Sequence, residues 1–362
     1  MAESRLHTNR IGWVDTAKAL GVLLVITGHL LYSTRYRALL QLIYSFHMPL
    51  FFVLSGYVFR VRREERLIPF LCKKADRLLV PTFWFVWGLW PVLRYLYRRS
   101  PTVGVEAVEG LFFVKGLVLY NDPCWFFIVL FEVYVAAFLL LRRSDSVRFR
   151  LALCGLSFAA AYLIYHVGRN HGLYFGNEWP VSFGLDRAVL ALGFFLAGNA
   201  ARQAESAPKR LPPAWKPVLA VCGGLLWVVL AMRANGKVSM YQLVLGHSYI
   251  FIATGLLGSL TFCLLCQGVT RLADGHPFLK KSVSWLTENS VLIIGTHYVA
   301  IRLYVELLLR LRLYRQDVYD VLLVPLVAGM LAAYVPVCYA VNRWLPFVVC
   351  RRRLPSPPDR AL

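Results

Sequence analysis

Four ionisable residues stand inside apolar runs of this sequence: His29 in VLLVITGHLL, His47 in YSFHMPLFF, Glu132 in FFIVLFEVYVAAF and His297 in ENSVLIIGTHYVAI. An imidazole takes up and gives back a proton near neutrality, so it suits a general base that draws the proton from a hydroxyl. A carboxylate in apolar surroundings needs a partner, and a proton-holding imidazole is a natural one. Lys18 precedes His29 by eleven residues, three helical turns, which puts both on one helix face about 16 Å apart. Asp15 lies on nearly the same stripe. A fifth site of interest is Asp186-Arg187, at the outer end of a later apolar run. The densest basic stretch follows His47 and holds Arg60, Arg62, Arg63, Arg66, Lys73, Lys74 and Arg77. Its plain role is to fix topology. A sharper one is to hold a polyanionic cytosolic ligand, since Arg and Lys are the usual phosphate binders.

The elements that must carry these groups follow from composition. Of 362 residues, 58% are hydrophobic and 16% charged, yet the net charge is +21. A soluble domain is roughly 45–50% apolar and about 25% charged, so an all-α, polytopic membrane bundle is expected. Nucleic-acid binding would explain the charge and leave bilayer-length apolar runs unexplained. Ten crossings are read: Val14–Ser33, Ala38–Phe59, Leu78–Tyr97, Cys124–Leu141, Phe149–Val167, Gly184–Ala201, Trp215–Met232, His247–Cys266, Trp285–Tyr304 and Tyr319–Val341. Val103–Tyr120, broken by Glu106, Glu109 and Lys115, suits an interfacial helix. With the N-terminus inside, 25 of the 40 Lys and Arg residues fall on inner segments and 14 on outer ones, with Lys18 within the first span. That asymmetry predicts both termini in the cytoplasm. The first apolar run lacks a small-residue cleavage site and reads as a retained anchor. Residues 1–345 form one transmembrane domain in this reading, and the basic, Pro-rich 346–362 a cytoplasmic, disordered tail. The eight cysteines scatter through apolar runs, and the one C-x-x-C, Cys263 to Cys266, has no second pair to complete a metal site. No metal is expected.

The motifs carry a resemblance. Asp15-Thr-Ala-Lys18 with Val25-Ile-Thr-Gly28-His29, then Phe46-His47-Met48-Pro49-Leu50-Phe51-Phe52 and Leu54-Ser55-Gly56-Tyr57, resembles the membrane-bound acyltransferase 3 family, particularly its fucose-4-O-acetylase-like branch. Weaker echoes are Arg77-Leu-Leu-Val-Pro81, Trp125-Phe126-Phe127 and Asn289-Ser290 through His297. Many members carry arginine where this chain has Lys18, which weakens a bidentate grip on phosphate. The chain looks like the stand-alone type, without an appended esterase-like domain.

The resemblance implies transfer of an acetyl group from cytosolic acetyl-CoA to a sugar hydroxyl of a surface or exported polysaccharide, or of its lipid-linked precursor, at the bacterial inner membrane. Lys18, Arg60, Lys73, Lys74 and Arg77 would hold the donor's phosphates. Its pantetheine arm would then run along the first helix toward His29. His29 is the expected base, with an acetyl-histidine intermediate as a variant. His47 polarises the thioester or shares the proton, and Glu132 orients a histidine as a triad carboxylate does. Asp15 completes the catalytic set, and Arg187, Asn289 and His297 are expected on the acceptor. The partners are thus acetyl-CoA, a carbohydrate and lipid. A transporter would use similar intramembrane groups but favours inverted repeats, which the sequence lacks. A scaffold without chemistry would leave His29, His47 and Glu132 unexplained.

Overall fold

The computed structural model describes residues 11–31, 36–61, 64–96, 121–170, 184–205, 215–236, 238–273, 275–313, 315 and 323–350. The interfacial helix expected over 103–120, the start of the last span and the tail beyond residue 350 lie outside the described residues. The chain is an all-α bundle: α1 (Gly12–Leu30), α2 (Arg37–Tyr44), α3 (His47–Val58), α4 (Leu67–Phe83), α5 (Trp90–Leu96), α6 (Trp125–Leu141), α7 (Val147–Asn170), α8 (Leu185–Glu205), α9 (Trp215–Val229), α10 (Ser248–Ala273), α11 (Pro277–Arg310) and α12 (Leu323–Trp344). Eight helical segments among the described residues are long and apolar enough to cross a membrane.

The other two expected crossings take different forms. Residues 185–205 do form a helix, α8, but one carrying Asp186, Arg187, Arg202 and Glu205. It can hold that polarity because it is interior, packed against α3, α6 and α7. A helix sheathed by protein need not be apolar all round. The third expected span, Leu78–Tyr97, is not one straight helix. α4 starts earlier, at Leu67, and passes at Trp84–Gly88 through a π turn before α5 begins at Trp90. Pro91 has no N–H to continue the ladder through that point. The early start moves Lys73, Lys74 and Arg77 from an expected loop onto the first turns of α4.

Small residues set the tightest crossing. A Cβ added at Gly56 of α3 would collide with the Phe195 backbone of α8, and one at Gly198 of α8 with the Val53 backbone. Each glycine is thus the hole for the other helix, the usual device for backbone approach in membranes. α1 packs on α10, α11 and α3, and two threonine bonds fix its depth: Thr270 donates to Thr16 at 2.8 Å and Thr287 to the Asp15 carbonyl at 3.0 Å. α9 buries none of its residues, so it lies at the rim. Cys263 and Cys266 sit in the apolar cluster formed with α1 and α3 residues such as Ala17 and Leu50.

Candidate active site

The expected span over 38–59 is two helices. Pro49 has no N–H for the Ser45 carbonyl, and the helix breaks at Ser45–Phe46, so His47 opens α3. Its ring closes the gap: Nδ1 lies 2.8 Å from the Ile43 carbonyl, the last turn of α2. A carbonyl only accepts, so Nδ1 carries the proton and Nε2 is left with its lone pair. His297, on α11, repeats the device. Its Nδ1 is 3.1 Å from the Ile293 carbonyl and 2.9 Å from that of Ile294, and its buried Nε2 has no hydrogen-bond partner among the described residues. Two helices therefore present imidazoles in the same tautomer.

Between them stands His29, near the end of α1. Its ring centroid is 4.9 Å from that of His297, 5.4 Å from Tyr298 and 6.5 Å from Tyr44, and Tyr44 is 4.9 Å from His47. His47 is close enough for its charge to act on His29. His29 keeps partial exposure, while His297 is fully buried. The structure thus brings together His29, His47 and His297. It adds Tyr44, Tyr298 and Arg302, whose guanidinium stands 5.8 Å over the Tyr298 ring. Asp122, in the short turn before α6, acts on Arg302 by charge. That turn is tied to α11 by Asn121, which is buried and donates to the Gly295 carbonyl at 2.8 Å and the Phe85 carbonyl at 3.1 Å.

Other expected members lie elsewhere. Glu132 does not join the histidines: the charges acting on it are Asp186 and Arg187 of α8, and both its oxygens are buried without a hydrogen bond among the described residues. Arg187 holds Asp186 at 2.9 Å and donates to the Tyr241 carbonyl at 2.6 Å, and the Tyr241 ring lies 6.1 Å from that of Trp125. Asp15 is fourteen residues before His29, about 21 Å down the helix, too far to touch the same substrate atoms. Asn289 is eight residues before His297, about 12 Å along α11. Its oxygen accepts from Asn342 of α12 at 3.0 Å, and its amide donates to Trp285 at 2.8 Å. It faces α12, two residues beyond Thr287, which bonds the Asp15 carbonyl, so it lies toward the Asp15–Lys18 end of α1 and away from His29.

The basic residues split into two groups. Lys74 is half-buried, its ammonium 3.5 Å from the centre of the Tyr134 ring and within 5.8 Å of Phe70 and Phe59. Arg77, Lys73 and Lys18 of α1 act on it by repulsion, offset in part by Glu65. Burial, with that repulsion, pushes Lys74 down to about 8. One cationic face therefore joins α1 to α4. Arg60 is not among the charges felt by Lys74; it lines a separate cavity with Arg150 and Arg202.

The bundle of helices long and apolar enough to cross a membrane thus holds an imidazole cluster at one depth and a cationic face three turns away along α1. The acyltransferase 3 family model, described as an acyltransferase domain, matches residues 11–343, and the chain belongs to this family of membrane acyltransferases. No curated protein and no solved structure matches it.

Proposed function

We propose that the protein transfers an acetyl group from acetyl-CoA to a sugar hydroxyl of an exported or lipid-linked polysaccharide, with both termini in the cytoplasm of a bacterial cell. The observation that carries the reading is the His29–His297 ring contact, with the lone pair of a buried Nε2 left unsatisfied beside a partly exposed imidazole. The donor binds from the cytoplasmic end, its phosphates on Lys18, Lys73, Lys74 and Arg77. The distance from Lys18 to His29, about 16 Å along α1, matches the order of length of a pantetheine arm, so the thioester arrives at the histidines.

The sugar approaches from the opposite end. His29 removes the hydroxyl proton as the oxygen attacks the thioester carbon. The C–O bond forms, the C–S bond breaks, and the leaving thiolate recovers the proton from the imidazolium. His297 and His47, each fixed by its Nδ1–H, accept hydrogen bonds at Nε2 and hold His29 or the hydroxyl in line. Glu132, Arg187 and the Trp125–Tyr241 pair serve the acceptor, carboxylate and guanidinium binding hydroxyls while the rings offer an apolar face. A positioned base of this kind contributes about 10²–10⁴-fold.

The test is thioester consumption by the purified protein. Free CoA should appear only when a carbohydrate acceptor is supplied, together with an acetylated sugar. Transport of the glycan without thioester cleavage would overturn the reading.

A further inference from the structure

At the end of the bundle that carries Lys74, a cavity of about 460 Å³ opens between the ends of α3, α6 and α8 and the beginning of α7. Arg60, Arg150, Arg202, Asp145, Asn199 and Gln203 are on its wall. Phe59 both lines it and lies beneath the Lys74 ammonium, so that ring separates the cavity from the donor face proposed above. The wall is preorganised. Asn199 donates to the carbonyls of Gly56 and Phe59, both at 2.9 Å, and its oxygen accepts from Arg150 Nε at 2.6 Å. Arg150 is only 6% exposed. Its other nitrogens reach the Ser144 carbonyl at 3.1 Å and Asp145, 75% exposed, at 3.7 Å, so the buried charge is only partly offset. Arg202 donates to the Tyr57 hydroxyl at 3.1 Å, and that hydroxyl donates to the Glu205 carboxylate. Arg60 is exposed and has no ion pair among the described residues. Gln203 keeps a buried amide oxygen without a hydrogen bond.

We propose that this cavity binds a phosphate group, as a phosphomonoester or diphosphate, at a site distinct from the Lys18–Lys74–Arg77 face. The wall's three guanidiniums stand against Asp145 and against Glu205, which bonds the Tyr57 hydroxyl that Arg202 also bonds, leaving a net positive charge to meet a phosphate. Arginine's planar fork is the side chain that grips phosphate oxygens in pairs. The first turn of α7, through Val147, adds the positive end of a long helix. A water occupies about 30 Å³, so the volume admits the phosphate and part of the molecule bearing it. The same chemistry is offered by a soluble phosphorylated metabolite and by an anionic lipid headgroup.

Pyrophosphate is the probe, titrated calorimetrically into the protein in phosphatidylcholine nanodiscs. A Lys74→Gln background weakens the donor face. In that background a pyrophosphate site should remain, Arg60→Gln should weaken it by about tenfold or more, and Arg60→Lys should weaken it less. No pyrophosphate binding, its loss with Lys74→Gln alone, or indifference to Arg60→Gln would each overturn the proposal. In nanodiscs carrying phosphatidic acid, a phosphomonoester lipid, a headgroup occupant competes and lowers the apparent affinity, and Arg60→Gln removes that competition. A soluble occupant shows no lipid effect. None of these readouts depends on acyl transfer, so the two readings fail separately.

Discussion

At the scale of single residues, the three histidines were visible in the sequence because an imidazole within an apolar run has few inexpensive explanations. Which of them meet was not visible, since His29 and His297 stand on helices far apart in the chain. Tyr298 and Tyr44 gave a faint signal as neighbours of His297 and His47; alone, a tyrosine in a span reads as packing. His297→Ala should lower kcat for acyl transfer by about a hundredfold or more. His297→Asn, which can still donate to the Ile294 carbonyl but has no Nε2, should be nearly as slow with the fold intact. Recovery of activity in the asparagine variant would make His297 purely structural. Lys74 supplies a pH test. With its pKa at about 8, it is mostly charged at pH 7 and loses its proton as pH rises through 8. An anionic donor binds the charged form, so KM for the donor should rise between pH 7 and 9. Lys74→Arg, which stays charged, should flatten that rise, measured from initial rates.

At the scale of elements, apolar run length located most spans. Two features escaped because they depend on neighbours. α8 is more polar than a lipid-facing helix could be, and is tolerated since α3, α6 and α7 surround it. α4 starts eleven residues ahead of the expected span, because LIPFLCKKADR continues a helical ladder beyond the apolar stretch. Pro49 must interrupt the helical ladder because it has no N–H, but nothing in the sequence says that the His47 ring satisfies the freed end of α2. Crossings at glycine also show in the sequence only as small residues without partners. Gly198→Leu should cost about 1–3 kcal/mol through overpacking against Val53, seen as a lower unfolding midpoint in detergent. Leu at Gly155, which meets nothing within 4 Å, should leave the midpoint in place.

At the scale of the whole molecule, the charge excess now divides by location. Part of it faces a proposed donor path between α1 and α4, and part lines the arginine cavity on the other side of Phe59. Composition gave the membrane and could not give this division, which arises from where α3, α4 and α8 end relative to one another. The orientation is testable: in a cysteine-free background, Lys73→Cys should react with a membrane-impermeant maleimide only from the cytoplasmic side, and labelling from the outside would invert the topology. The most direct test of the whole account is surface-glycan O-acetylation in cells carrying His29→Ala at wild-type protein levels. The account predicts loss of the acetyl ester with the protein inserted and folded; acetylation at the wild-type level would contradict it.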